Sequence, residues 1–140
     1  MGDDRHTVRF AIPRRAEHLD WLRTAVVDFF SRGGVGSDAV SMLEVAIYEA
    51  VINIIQHGKT AYPDKEIGVE CAIAESEAKV TVTSHGERYD STAVDLPDIE
   101  AHYRSGKKRG LGIFFIRTLM DRVEYDYRDG MNILTMSKRL

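Results

Sequence analysis

An α+β fold is predicted for this 140-residue chain: a two-layer α/β sandwich whose mixed, mostly antiparallel sheet carries its helices on one face. Three features predict it. Several segments alternate polar and apolar residues, which gives a strand one face for a core and one for solvent. These segments come as one early strand and two hairpins, set apart by long segments with helical spacing, an order that suits helices packed on a sheet. The longest helical segment, DAVSMLEVAIYEAVINIIQHG, is apolar almost all round and must be covered on more than one side.

The elements follow in order. HTVRFAI, His6 to Ile12, alternates as a half-buried strand does, and Pro13 with Arg14 and Arg15 breaks it. AEHLDWLRTAVVDFFSR places Leu19, Leu22, Val26, Phe29 and Phe30 at helical spacing, and GGVG stops that helix. Ser37 or Asp38 is placed to cap the next helix and Gly58 to end it. KTAYPDK is a loop with Pro63 and Asp64 as turn residues. EIGVECAIAE and AKVTVTSHG, joined by ESE, make a hairpin. Residues 87–109 show no sustained periodicity, apart from an apolar island, AVDLPDIEAHY, suited to one or two helical turns. Irregular stretches of that length inside a domain are usually functional or mobile. GLGIFFIRTLMDRV is a third helix, and VEYDYRDGMNILTMSKRL a second hairpin turning at Arg128-Asp129-Gly130. No repeat or boundary divides the chain, so residues 1–140 are expected to form one domain.

Composition narrows the function. Hydrophobic residues are 44% and charged residues 29%, as in a soluble globular protein. A formal net charge of −3 argues against nucleic-acid binding driven by bulk charge. No apolar run reaches the ~18–20 residues of a membrane span, and MGDDRHTVRF lacks a signal-peptide core. A cytoplasmic protein that binds neither membrane nor nucleic acid is expected. The single cysteine, Cys71, excludes an internal disulfide and a multi-cysteine metal site, and its strand-like setting suits a buried apolar residue.

Two features carry chemistry. Glu49, Asn53 and His57 recur every four residues and stack on one face of their helix, with Glu44 off the stripe. Their neighbours Ala50, Val51, Ile52, Ile54 and Ile55 are apolar, which puts the stripe at a core edge or in a cleft. A carboxylate there is costly unless something binds it. The second feature is SGKKRGLGI, where Gly106, Gly110 and Gly112 precede a helix and Lys107, Lys108 and Arg109 lie among them. Glycine lets backbone amides approach an anion, and the helix N-terminus adds free N–H groups, so this loop is a phosphate-binding candidate. Its spacing fits neither the dinucleotide fingerprint nor a Walker A loop.

With these residues in view, the chain resembles the anti-sigma-factor serine kinases, a small branch of the GHKL (histidine kinase-like) ATPase superfamily. The family's N-box, E-A-x-x-N-x-x-x-H-G, stands here as EAVINIIQHG, and its GLGLxxVRxLxD glycine box as GLGIFFIRTLMD. The opening strand-Pro-helix and the closing hairpin ending in KRL match too, so the resemblance runs from about Thr7 to Leu140. It implies a Bergerat-type ATP-binding fold with ATP and Mg²⁺ as cofactors. Asn53 would coordinate the Mg²⁺ that bridges the phosphates, and Glu49 would be the general base for a substrate serine. Gly110 and Gly112, with the neighbouring backbone at Leu111, would hold phosphates, helped by Lys107, Lys108 or Arg109. His57 is expected to be a structural partner at the helix end.

Between the two boxes the family has V-x-D-x-G-x-G-F-D, where this chain has VTSHGERYD, Val82 to Asp90. Gly86, Tyr89 and Asp90 match. Ser84 takes the place of the Asp that accepts the adenine amino group, and the bulkier Arg88 that of the second glycine. Asn132 takes the place of a threonine after the last turn, within a one-residue ambiguity of register. Two functions stay open. One is an anti-sigma factor with ATP-dependent serine kinase activity, which binds a sigma factor and phosphorylates a STAS-type anti-anti-sigma partner in a partner switch that regulates transcription. The other, motivated by Ser84 and Arg88, is a nucleotide-binding-impaired regulatory module acting by protein–protein contacts alone. A homodimer through the early strand and first helix would fit the family.

Overall fold

A computed structural model describes residues 6–90, 92 and 111–140. The element order is β1 (His6–Ile12), a 3₁₀ turn (Ala16–His18), α1 (Leu19–Arg32), α2 (Ser37–His57), β2 (Ile67–Ala74), β3 (Glu77–His85), α3 (Leu111–Leu119), β4 (Arg122–Arg128) and β5 (Met131–Arg139). The strands form one sheet in the order β1-β2-β3-β5-β4. Every pairing is antiparallel, which settles the sheet as antiparallel rather than mixed.

Alternation along the strands decides which face is covered. Ile67, Val69, Cys71 and Ile73 of β2 are buried, as are Ala78, Val80, Val82 and Ser84 of β3 and Leu134 and Met136 of β5. The register sets Val69 opposite Val82 and Cys71 opposite Val80, then Val80 opposite Met136 and Val82 opposite Leu134. The core face is therefore continuous across three strands, since a period of two keeps such pairs on one side. Burial pushes the Cys71 thiol up to about 12, so it behaves as the small apolar residue its setting predicts.

The helices cover that face. Leu22, Val26 and Phe30 of α1 are fully buried, and so are Leu43, Ala46 and Val51 of α2 and Ile116 of α3. The α2 helix packs against α1, α3 and β3, the many-sided burial that its apolar circumference requires. Arg23 ties the first two helices together, donating from Nε to Glu44 Oε1 at 3.0 Å while its guanidinium lies 5.0 Å from the centre of the Tyr48 ring. Glu44, off the polar stripe, thus serves helix packing. Leu22 and Val26 face inward and are unavailable to a partner, whereas Trp21 remains 42% exposed, edge-on to Phe10 of β1.

Two boundaries differ from the sequence expectation. Gly36, not Ser37 or Asp38, is the N-cap of α2, and no side chain caps it; Asp38 instead sits in the first turn, where the helix dipole favours a negative charge. The third helix ends at Leu119 instead of Val123, because Arg122 and Val123 pair with Ser137 and Met136 at the start of β4. Ladder hydrogen bonds and the burial beside Met136 outweigh the helical spacing there. The second hairpin turns at Asp129 and Gly130 with φ of 53° and 77°, the paired positive angles of a tight two-residue turn. The apolar island at 93–103 lies outside the described residues.

Ile116 has no exposed surface and joins α3 to the core. Ile116→Ala is expected to cost about 2–5 kcal/mol, read as a lower urea midpoint with an unchanged m-value.

Candidate functional site

The polar stripe of α2 meets the start of α3. A Cβ placed on Gly112 would lie 3.0 Å from Glu49 Oε2, 3.1 Å from Asn53 Nδ2 and 3.3 Å from Asn53 Oδ1. Three residues from two distant motifs therefore converge, and the glycine is what admits the two side chains so close to the helix backbone. Gly112 stands at the second position of α3, within the turn whose N–H groups lack intrahelical partners. Burial raises the Glu49 carboxyl above its ordinary 4.5, because desolvation disfavours the charged form. Among the described residues no hydrogen bond or ion pair compensates it. Lys107, Lys108, Arg109 and Gly110 lie outside the described residues, while Leu111 begins α3.

A cleft opens on the other side of Asn53, lined by Arg14, Ala50, Asn53, Ile54, Gly58, Lys59, Val82, Ser84, His85, Tyr89, Tyr125, Asn132 and Leu134. Its interior is narrow, about 30 Å³. Ser84 and Asn132 are cross-strand partners, which puts both on the core-facing side. Ser84 is only 3% exposed.

Asn132 is already committed. Its Oδ1 accepts from the Tyr89 N–H at 2.8 Å and the Tyr125 hydroxyl at 2.5 Å, and its Nδ2 donates to the Glu87 carbonyl at 2.9 Å. The side chain clamps the loop after β3 onto β5. Gly86 belongs to the same clamp: its N–H donates to Gly130 O, its carbonyl accepts from Tyr127, and the next N–H donates to Lys59 O. With φ at 156° and a would-be Cβ 2.3 Å from Lys59 O, the position excludes any side chain. Gly86 thus has a packing role at the rim of the cleft. Arg88 does not intrude: it is exposed and lies over the Tyr125 ring at 5.6 Å. His57 ends α2 and faces Tyr89, ring centres 6.5 Å apart.

Sequence reasoning missed Arg14. It follows Pro13, past the end of β1, and reaches the far end of β3, where its Nη2 donates to the His85 carbonyl at 2.5 Å. No spacing rule links positions so far apart in sequence, and nothing local signals the contact.

Comparison with known proteins places this geometry. The family model of the histidine kinase-like ATPase domain matches residues 12–138. The chain belongs to that family. Among relatives, the serine-protein kinase RsbW of Listeria monocytogenes serovar 1/2a is 28% identical over 131 residues, covering 91% of this chain and 83% of that protein. The serine-protein kinase RsbW of Bacillus cereus (strain AH187) is 29% identical over 133 residues, covering 91% and 81%. Two solved structures share the fold at 16% identity. The RsbU and RsbW domains of a Mycobacterium tuberculosis protein superpose with a TM-score of 0.72, covering 96% of this chain and 32% of that one. The SiaB–SiaC complex of Pseudomonas aeruginosa gives 0.63, covering 95% and 89%.

For a histidine kinase-like ATPase domain, the Gly112 contact separates stability from binding. Gly112→Ala is expected to change stability by no more than about 1 kcal/mol, since alanine favours helix, while displacing Glu49 and Asn53 and weakening ATP binding by calorimetry. The Glu49 shift has a definite sign. Its folded value lies above its unfolded one, so its contribution to stability is full below pH 4.5 and is lost as pH rises through the raised value. Glu49→Gln is therefore expected to be more stable than wild type at neutral pH, with the gap closing in acid; a denaturant series across pH checks it.

Proposed function

We propose that this chain is a cytoplasmic protein serine kinase domain of the partner-switching kind, an anti-sigma factor that transfers a phosphoryl group from a Mg²⁺-bound nucleoside triphosphate, ATP by family, to a STAS-type anti-anti-sigma protein. The observation that carries this reading is the convergence of Glu49, Asn53 and Gly112, two helices meeting through a glycine that a side chain would fill. That cradle fits a metal–phosphate group. Asn53 would supply a neutral oxygen ligand to Mg²⁺, which keeps most of its shell for phosphate and water. The first-turn amides of α3 would face phosphate oxygens. Bound magnesium would neutralise charge on those oxygens, so the chain's own task is mainly positioning.

Glu49 fits the base. One helical turn from Asn53 and raised by burial, it is a carboxylate placed to accept the proton of an incoming serine hydroxyl, and a raised value strengthens it as a base. The names of the RsbW relatives, each a serine-protein kinase, support the reaction class. The SiaB–SiaC neighbour, solved as a complex, supports action on a protein partner.

A second reading keeps the fold and drops the nucleotide: a module that holds its sigma factor by protein contacts alone. Ser84 at the family's carboxylate position favours it, together with an Asn132 amide already bound to the loop. The two readings part on variants. Under the kinase reading, Glu49→Ala abolishes phosphate transfer to a partner serine yet binds Mg-nucleotide, whereas Asn53→Ala loses both. Calorimetry that detects no nucleotide binding by folded wild-type protein would leave the second reading standing.

A further inference from the structure

Asp90, which closes the stretch VTSHGERYD, and Arg117, within GLGIFFIRTLMD, have no part in the site so far. The fold brings them to one turn. Asp90 Oδ1 accepts from the Thr92 N–H at 2.9 Å and from the Thr92 hydroxyl at 2.5 Å. Arg117 of α3 donates from Nη2 to the Thr92 carbonyl. Among the described residues, this is the hydrogen bond that joins α3 to the segment following β3. The same segment is fastened further back, by Asn132 at Glu87 and Tyr89 and by Tyr127 at Gly86. Arg117 therefore grips a piece of backbone that is already tied to the sheet.

This matters because of how α3 is otherwise held. The helix has nine residues, and its first turn carries the glycine that meets Glu49 and Asn53. Gly112 brings no side chain to anchor that turn, so its placement depends on holds further along. Ile113 and Ile116 bury a stripe of α3 in the core, but apolar burial is non-directional and holds a helix down without fixing its roll. At about 3.6 residues per turn, Gly112 and Arg117 lie about 140° apart around the axis, on either side of that stripe. A directional bond at one edge then sets the height of the other. We infer that Arg117 is a positioning residue of the nucleotide site: by holding the Thr92 turn it fixes the roll of α3, and with it the approach of Gly112 to Glu49 and Asn53. Asp90 acts with it by shaping the turn that Arg117 grips. The inference rests on the nucleotide reading above and names residues that set the geometry of that site.

The test is calorimetric titration of the whole chain with the Mg²⁺ complex of the imido analogue of ATP, with a urea midpoint for each variant. Arg117→Met keeps the apolar stem and removes the donors; it is expected to stay folded and to bind about tenfold or more weakly, since such sites tolerate little misplacement. Arg117→Lys retains a donor and should recover part of the loss. Asp90→Ala should weaken binding as well. Combined with Arg117→Met it should cost no more than the larger single change, because both act through Thr92. Wild-type affinity in folded Arg117→Met, a lysine variant no better than the methionine one, or losses that add in the double variant would overturn the inference and leave the kinase reading in place. If Arg117→Met does not fold, Asp90→Ala decides, and wild-type affinity there overturns the inference. Wild-type protein that binds no nucleotide overturns both.

Discussion

The constraint on which the rest depends is the burial of α2. A helix with Leu43, Ala46, Val51 and their neighbours inside the core needs cover on several sides, and β3, α1 and α3 supply it. Ser37, Asp38, Ser41 and Gln56 stay on its open face, whereas Glu49 and Asn53 are only partly exposed. Glu49 and Asn53 emerge where α3 begins, and the seam closes tightly because Gly112 has no side chain. Ile113 and Ile116 hold α3 down at that spot. Packing thus creates the site: the same apolar contacts that stabilise the domain press a carboxylate and an amide against a helix N-terminus.

The far side of Asn53 is governed by a different interaction, the β3–β5 register. It sets Ser84 beside Asn132 and lets the Asn132 amide hold the backbone at Glu87 and Tyr89. Gly86 locks the same loop to the segment after α2, through Lys59. Cleft wall and loop are one hydrogen-bonded unit, so a change at any member bears on the others. Arg88, which in the sequence threatens to fill the cleft, is carried outside it onto Tyr125.

The seam and the cleft, on opposite sides of Asn53, differ in what they can do. Phosphoryl transfer asks mainly for positioning and charge neutralisation, and the α2–α3 seam has the residue types for both. Recognition of a base asks for matched donors and acceptors on a ring edge, and the cleft on the far side of Asn53 is lined there by Ser84, Arg14 and an Asn132 amide already bound to the loop. Membership in the histidine kinase-like ATPase family and likeness to serine-protein kinases bear on the seam.

The sequence by itself determined the strands, since alternation depends only on which residues are apolar, and it determined α2, whose 21 residues were bounded nearly to the residue by composition and Gly58. It also marked Glu49, Asn53 and Gly112, because helical spacing and glycine content are local signals. Where local signals competed, tertiary structure decided. Val123 fits a helix by spacing but belongs to β4, because sheet pairing with Met136 is a contact that spacing does not encode. The cap of α2 passed to Gly36 in the same way. Only the folded chain joined Gly112 to Glu49 across more than 60 positions of sequence, turned Asn132 into a clamp, and brought Arg14 under His85. Periodicity reports which face of an element is buried; which other element covers it is set by three-dimensional packing, and the cleft is made of those meetings.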